Sequence, residues 1–523
     1  MTRAIANDRL DRLHWLSSQG VRFSFAVTDE MKALKKDAPE WTSSVGDRAA
    51  DPLMSEVFSI TTDENPAPLL DVPISEIITH AHLSGSRGLR DRVQPEPFRG
   101  LASRRPCRAL GALTDAARHG DVPRRLWADF LHADGRVDDP LRMITVIARR
   151  IERHSLENIR MIVYPVSEWM EKIADRLYGD AAHVLPDLWN RVVDALASSP
   201  QERRGPPNRS WADEALNSPV GRLVDLLLKD PSTNGLDIGV GFPRCWTDRA
   251  EQLLALPDTL RRYALVLISR QLPWLYTIDP RWTEERLLRS AEDLGDDGDA
   301  FWSGILWAGR APGRELFLRL KPAFAQRAAM PSIRRSHGNI LAGILLFHWG
   351  DTAENDPSER VLTDDEFREI LIHADDELRG HVIWNLEQWF SNEDRRWRDR
   401  ILPFLRRVWP KQRALRNPNV TARLTDLAIS SGDLMPEIVK ALLPRLVPLR
   451  GPTLHTFARD SEAEDHPARR YPRSTLDLLM TILAEDPGQW PYGTEDVLQA
   501  LAEAPETAAD PRLSELRRRQ EWA

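Results

Sequence analysis

Apolar residues return every three or four positions along most of the chain, and this spacing predicts helices. Between Leu141 and Glu157, the residues Leu141, Ile144, Ala148 and Ile151 fall on one helical face. Ser218 followed by Pro219 and VGRLVDLLLK reads as an N-cap, a proline at the first helical position and a buried helix. Thr363-Asp364-Asp365-Glu366 has the spacing of a capping box, with FREILIHA supplying the apolar face behind it. The same logic predicts a helix opening at Ser474-Thr475-Leu476-Asp477. It predicts another at Thr283-Glu284-Glu285, whose acids sit well against a helix dipole. Two runs alternate like short strands, Val21–Val27 (VRFSFAV) and Met161–Val166 (MIVYPV), although Pro165 interrupts the second. A sheet needs more such runs, joined by tight turns. The expected fold class is therefore all-α, with at most a few short strands.

A faint repeat runs through the second half. Leu316–Phe324 (LFLRLKPAF), Ile401–Trp409 (ILPFLRRVW) and Ala441–Leu449 (ALLPRLVPL) share an apolar, proline and basic pattern. Their prolines, Pro322, Pro403 and Pro444, lie 81 and 41 residues apart. A period near 40 is that of helix-pair repeats of the HEAT or armadillo type, about 40–47 residues each. The expected architecture is an α-solenoid. Stretches rich in proline, glycine and charge, at Ser84–Arg108, Ser198–Arg209, Asp230–Phe242 and Arg450–Arg473, mark loops or boundaries. The expected regions are 1–100, mainly helical; 101–210, helical; and 211–523, the helical-repeat region. The boundary near 100 is the firmest and the one near 210 softer.

Composition narrows the function. A hydrophobic fraction of 42% over 523 residues supplies ample cores. A net charge of −8 gives no overall attraction to nucleic acid. Two cysteines, Cys107 and Cys245, make no disulfide framework and fit a reducing compartment. No apolar core of signal-peptide length opens the chain. The richest apolar stretch, Leu260–Tyr276, is broken by Arg270 and Pro273. The expectation is a soluble, cytoplasmic protein without membrane contact.

Known catalytic patterns are missing. No Gly-Lys-Ser/Thr loop ends a glycine-rich run, and Gly235-Leu236-Asp237-Ile238-Gly239-Val240-Gly241, bounded by Pro231 and Pro243, reads as a loop. The pairs His80/His82 and His373/His381 lack a third metal ligand, so no metal and no cofactor are expected. Leu83-Ser84-Gly85-Ser86-Arg87-Gly88 has the wrong frame for a nucleophile elbow. Cys245, beside Arg244, is expected as a buried structural thiol rather than a nucleophile. No catalytic residue is assigned.

Tryptophan is abundant, 18 against 14 Phe and 6 Tyr. It concentrates in Phe301-Trp302-Ser303-Gly304-Ile305-Leu306-Trp307 and in Trp384-Asn385-Leu386-Glu387-Gln388-Trp389-Phe390. Aromatics at this spacing fill seams between helices or, facing outward, anchor a partner. Trp302, Trp307, Trp384 and Trp389 are the candidate partner-binding residues. The alternative candidate is a nucleic-acid-binding stretch. Arg87, Arg90, Arg92, Arg99, Arg104, Arg105 and Arg108 oppose only Asp91 and Glu96, a local charge near +5. A second alternative is an all-α enzyme whose active-site residues are dispersed over several helices.

Two stretches carry a family resemblance. They are Leu216-Asn217-Ser218-Pro219-Val220-Gly221-Arg222-Leu223 and the terminal run His466-Pro467, Tyr471-Pro472, Leu476-Asp477-Leu478-Leu479, Trp490-Pro491 and Asp510-Pro511-Arg512-Leu513. Together they resemble the helical C-terminal region of bacterial sirtuin-like and STAND-like anti-phage defence proteins, over roughly the last 320 residues. That resemblance implies a helical array that senses a phage component or scaffolds a complex. The chain carries neither a nucleotidase-like effector nor an NTPase module, so it implies a separate effector or a stand-alone sensor, and no catalytic residue carries over. The partner expected is a protein, an effector or a phage component, with nucleic acid the less favoured ligand.

Overall fold

A computed structural model describes residues 3–18, 21, 23, 25–39, 41, 61–84, 93–133, 135–198, 210–350, 360–391, 395–451 and 466–521. Helices make up nearly all of the regular structure among them, and the fold is all-α. The exception is a parallel pair of three-residue strands, β1 (Thr61–Asp63) and β2 (Val93–Pro95), with Thr62 opposite Gln94.

The chain divides into two compact units, one of residues 1–72 and 79–100, the other of residues 73–78 and 101–523. In the first, α1 (Arg3–Ser18) and α2 (Val27–Asp37) close over Ala6, Leu10, Leu34 and Ala38, with Leu13, Met31 and Trp41 against them. The described residues of the run Val21–Val27 form no strand. They are irregular until α2 begins at Val27, and Phe25 is half-exposed, leaving the alternation no second layer to cover it.

The second unit is built on a row of helices. These are α3 (Leu156–Lys172), α4 (Pro219–Leu228), α5 (Asp258–Ser269), α6 (Asp296–Ala308), α7 (Pro331–Gly350), α8 (Asp376–Ser391) and α9 (Pro418–Ser430), each packed on the next. From α4 onward the helix starts are 39, 38, 35, 45 and 42 residues apart. Between members of the row the chain forms a second set of helices: Arg314–Ala328, Asp364–His373, Arg395–Pro403 and, after α9, Met435–Leu442. Pro322 lies in the first of these, Pro403 ends the third, and Pro444 comes after the fourth in the turn Leu443–Arg445. Asp364–His373 is the member without a proline, which is why one proline step is twice the other.

Polar ties keep the same period. Arg149 meets Asp187 at 2.8 Å, 38 residues away; Arg262 meets Asp297 at 3.1 Å, 35 away; and Lys321 meets Glu366 at 2.6 Å, 45 away. Four arginines are buried among the described residues, Arg136 with Asp139 and the Ala102 carbonyl and three more along the row. Arg327 donates to Asp299 at 2.5 Å and to the Asp293 carbonyl. Arg334 pairs with Asp375, and Arg379 with Asp376 and the carbonyls of Leu371 and Ala374. A buried guanidinium is tolerable only when its donors are matched in this way.

The caps at Ser218 and Thr363 form as the sequence predicts. Ser218 Oγ accepts from Gly221 N at 3.0 Å, and Thr363 and Glu366 make a complete capping box. Two other expected starts are displaced. The Ser474 segment belongs to a helix that begins two residues earlier, at Pro472, and Thr475 Oγ bonds back to the Pro467 and Tyr471 carbonyls instead of capping. The Thr283 segment lies inside Pro280–Arg286, capped by Asp279, and the chain then enters a 3₁₀ turn, Leu288–Ala291. Met161–Val166 is helical, inside α3. Ser155 caps that helix, and its buried stripe Ile159, Ile162, Val166, Trp169 and Met170 has helical spacing, so it continues through Pro165 at the loss of one hydrogen bond. The softer division expected near residue 210 is bridged. Lys229 meets Glu171 at 2.6 Å, Tyr178 Oη donates to the Leu226 carbonyl at 2.9 Å, and Trp189 Nε1 donates to Gln252 at 2.7 Å.

Candidate functional site

The tryptophan candidates separate sharply by environment. Trp302, on α6, is fully buried, with its indole N–H on the Ala291 carbonyl at 3.0 Å and its ring edge-on to Phe324 at 4.6 Å. It is a core residue, and the expectation that it anchors a partner is corrected. Helix α6 packs between α5 and α7, and its residues 300–306 are all buried. Trp307 is half-buried under the Arg270 guanidinium, 4.1 Å above its ring. Trp389 is half-buried against Trp397, at 4.4 Å between centroids. Trp384 alone of the four is exposed, at 38%.

Trp384 lines a groove of about 580 Å³ with Asn339, Asp376, Glu377, Gly380, His381, Asn419, Val420 and Arg423. Five of these come from α8, at Asp376 and at positions one, four, five and eight residues after it, a single helical face. Asn339 comes from α7 and the last three from the first turns of α9, so three successive members of the row build the site. Asn385 fastens its floor. Its side-chain amide donates to Asn339 Oδ1 at 2.8 Å and to the His381 carbonyl at 2.9 Å, locking α8 to α7. Gly380 would place a Cβ within 4 Å of nothing, so the floor between Glu377 and Trp384 lies open.

The charges of the groove are unevenly satisfied. Asp376 pairs with buried Arg379 at 2.5 Å. Glu377 and Arg423 have no ion pair among the described residues. An indole face beside an open carboxylate and an open guanidinium is suited to recognition by one apolar anchor with polar contacts around it. Two other cavities are one of about 530 Å³ at α1 and α2, lined by Arg9, Arg12, Leu13, Leu16, Phe25, Glu30 and Leu34, and one of about 450 Å³ at Glu485, Pro487, Arg518 and Arg519.

Of the arginine stretch, Arg87, Arg90 and Arg92 lie outside the described residues. Arg104 ends the helix Pro97–Arg104 and Arg105 precedes the helix Pro106–Arg118. Both are exposed, while Arg108 is half-buried. Arg99 is spent on Glu64 at 3.0 Å. Cys107 and Cys245 are both exposed, correcting the expectation of a buried Cys245. Trp246 takes the buried position of that helix and stacks on Phe242 at 4.2 Å, which turns its neighbour outward. His373 pairs with Glu369 at 2.9 Å, apart from His381 in the groove. Gly235–Gly241 is a loop, held by the Gly239 and Gly241 amides on the Thr277 and Ile278 carbonyls. Among the described residues no three His, Cys, Asp or Glu side chains converge as a metal site, and no helix is long and apolar enough to cross a membrane.

A second basic stretch, absent from the sequence-based candidates, belongs with the groove. Residues 404–423 carry six basic side chains, Arg406, Arg407, Lys411, Arg413, Arg416 and Arg423, and no acidic one. The signal was present in the charge order of the sequence. Comparison with protein-family models, curated proteins and solved structures returned no match.

Proposed function

We propose that the chain is a non-catalytic recognition protein, a HEAT/armadillo-like helical-repeat array that binds a segment of a protein partner in the α7–α8–α9 groove. The observation that carries this reading is Trp384, a large aromatic surface left 38% exposed in a groove lined by three successive helices of the row. Such aromatics contribute a disproportionate share of interface energy. Glu377 and Arg423, with no ion pair among the described residues, support it as polar contacts open to a partner beside the indole. The sequence resemblance extends the proposal to a sensing or scaffolding role in a bacterial anti-phage system, in the cytoplasm and with the effector on another polypeptide.

The experiment is selection of short random displayed peptides on the full chain, then binding to Trp384→Ala and Gly380→Leu variants. The reading expects selected peptides to lose at least about tenfold in affinity with either variant, the first removing the anchor and the second filling the floor. Trp307→Ala serves as the control and leaves binding unchanged. Peptides indifferent to both groove variants contradict the reading.

A further inference from the structure

We infer that the partner segment taken by the groove is acidic, docking its carboxylates on a basic rim formed by Lys411, Arg413, Arg416 and Arg423. This inference rests on the groove reading and specifies the chemistry of its occupant. Many arginines along the row are paired with carboxylates: Arg262 with Asp296 and Asp297, Arg286 with Glu251, Arg327 with Asp299, Arg334 with Asp375, Arg360 with Asp364 and Arg398 with Asp433. The stretch entering α9 breaks this habit. Lys411, Arg413 and Arg423 are exposed, Arg416 is half-buried, and none of the four has a carboxylate partner among the described residues.

Arg423 lines the groove, and the other three lie on the segment that leads into the same helix. The loop that carries Lys411, Arg413 and Arg416 runs into Asn417, the N-cap of α9, whose side chain accepts from Val420 N at 2.9 Å. Asn419, Val420 and Arg423, in the next two turns, are groove wall. Arg416 also lies near Arg445, which is half-buried and bonded through its guanidinium to the Ala441 carbonyl. Two guanidinium groups thus stand together, with no carboxylate paired to either among the described residues. Burial first, and then the Arg416 charge, lower the pKa of Arg445, so the crowding has an electrostatic cost that a bound carboxylate would relieve. A chain with a net charge of −8 that gathers unpaired positive charge at one helix end is complementary to an acidic ligand there.

The choice between an acidic peptide and a polyphosphate backbone comes from the opposite wall. Asp376 and Glu377 face the same groove, so a continuous polyanion laid across it meets repulsion on the α8 side. A peptide avoids this by placing an apolar side chain on Trp384, over Gly380, and only its flanking carboxylates on the α9 side.

The test repeats the peptide selection on the wild-type chain and on a Lys411→Glu, Arg413→Glu, Arg423→Glu variant. All three substitutions are at exposed positions, and the melting transition of the variant verifies its fold. Wild type is expected to enrich Asp and Glu beside one apolar residue, and those peptides to weaken at least about tenfold on the variant and with added salt. Trp384-dependent peptides without acidic enrichment overturn this inference and leave the groove reading standing. Peptides independent of Trp384, or no selected peptides at all, overturn both. An oligothymidylate bound more tightly than the selected peptides, with the same loss on the variant, replaces the acidic peptide by nucleic acid.

Discussion

Gly304→Ala and Gly380→Ala are the same chemical change in two helices of one row, and they should move stability in opposite directions. Gly304, in α6, faces the α5 backbone. A Cβ there would stand 2.1 Å from the Val266 carbonyl oxygen and 3.1 Å from Ser269 Cβ. Both obstacles are fixed, one of them backbone, so α5 and α6 must separate by roughly 1 Å, a gap that forfeits a quarter to a half of the dispersion along their contact. Overpacking of this kind costs up to about 3 kcal/mol, while alanine returns about 1 kcal/mol of helix propensity, so the net loss is about 2 kcal/mol. Gly380, in α8, meets nothing within 4 Å, and alanine there should stabilise by up to about 1 kcal/mol. Urea titrations of both variants and wild type, monitored by far-UV circular dichroism, report the shifts as midpoints. A Gly304→Ala variant as stable as wild type, or two variants shifting the same way, would refute the close α5–α6 packing.

Buried polar groups give three further expected outcomes. His348 is 1% exposed, its ring stacked 3.7 Å from Phe317 and both ring nitrogens without a hydrogen-bond partner among the described residues, and burial pushes its pKa down to about 4. The unfolded imidazole takes a proton below about pH 6.5 while the folded one resists until about 4, so stability falls as pH drops through that window by about 3 kcal/mol. His348→Leu should remove this acid sensitivity, read from urea midpoints at about pH 7 and about pH 4.5. Arg327→Ala leaves the Asp293 carbonyl and Asp299 without their buried donor and should cost about 3 kcal/mol, whereas Arg518→Ala, which breaks only a surface pair with Glu515, should stay within about 0.5 kcal/mol in the same assay.

Much of the helical architecture is legible in the sequence because its signals are local. Ser218 and Thr363 mark helix starts through side chains that reach amides three residues on. The prolines at 322, 403 and 444 follow the spacing of the row because each sits in or just after a helix of the second set, between row members or beyond the last. What misleads is context. Met161–Val166 alternates over only six residues, and inside a helix buried on several faces a short apolar run has no period of its own. Strands β1 and β2 are three residues long, too short for any periodic signal. Spacing also cannot tell Trp302 from Trp384, since burial depends on how far the neighbouring helices cover α6 and leave α8 open. The basic stretch 404–423 is as visible in sequence as 87–108. What distinguishes it is that Arg423 at its end lines a groove, which only the packing of α9 on α8 reveals.

Hydrogen–deuterium exchange of the full chain, with and without a peptide selected on it, tests the groove most directly. Slowed exchange should be confined to the first turns of α8 and α9, residues 376–384 and 419–423, together with the turn of α7 around Asn339. Protection centred between α1 and α2 or around Arg104–Arg108, with none in that groove, would contradict the account.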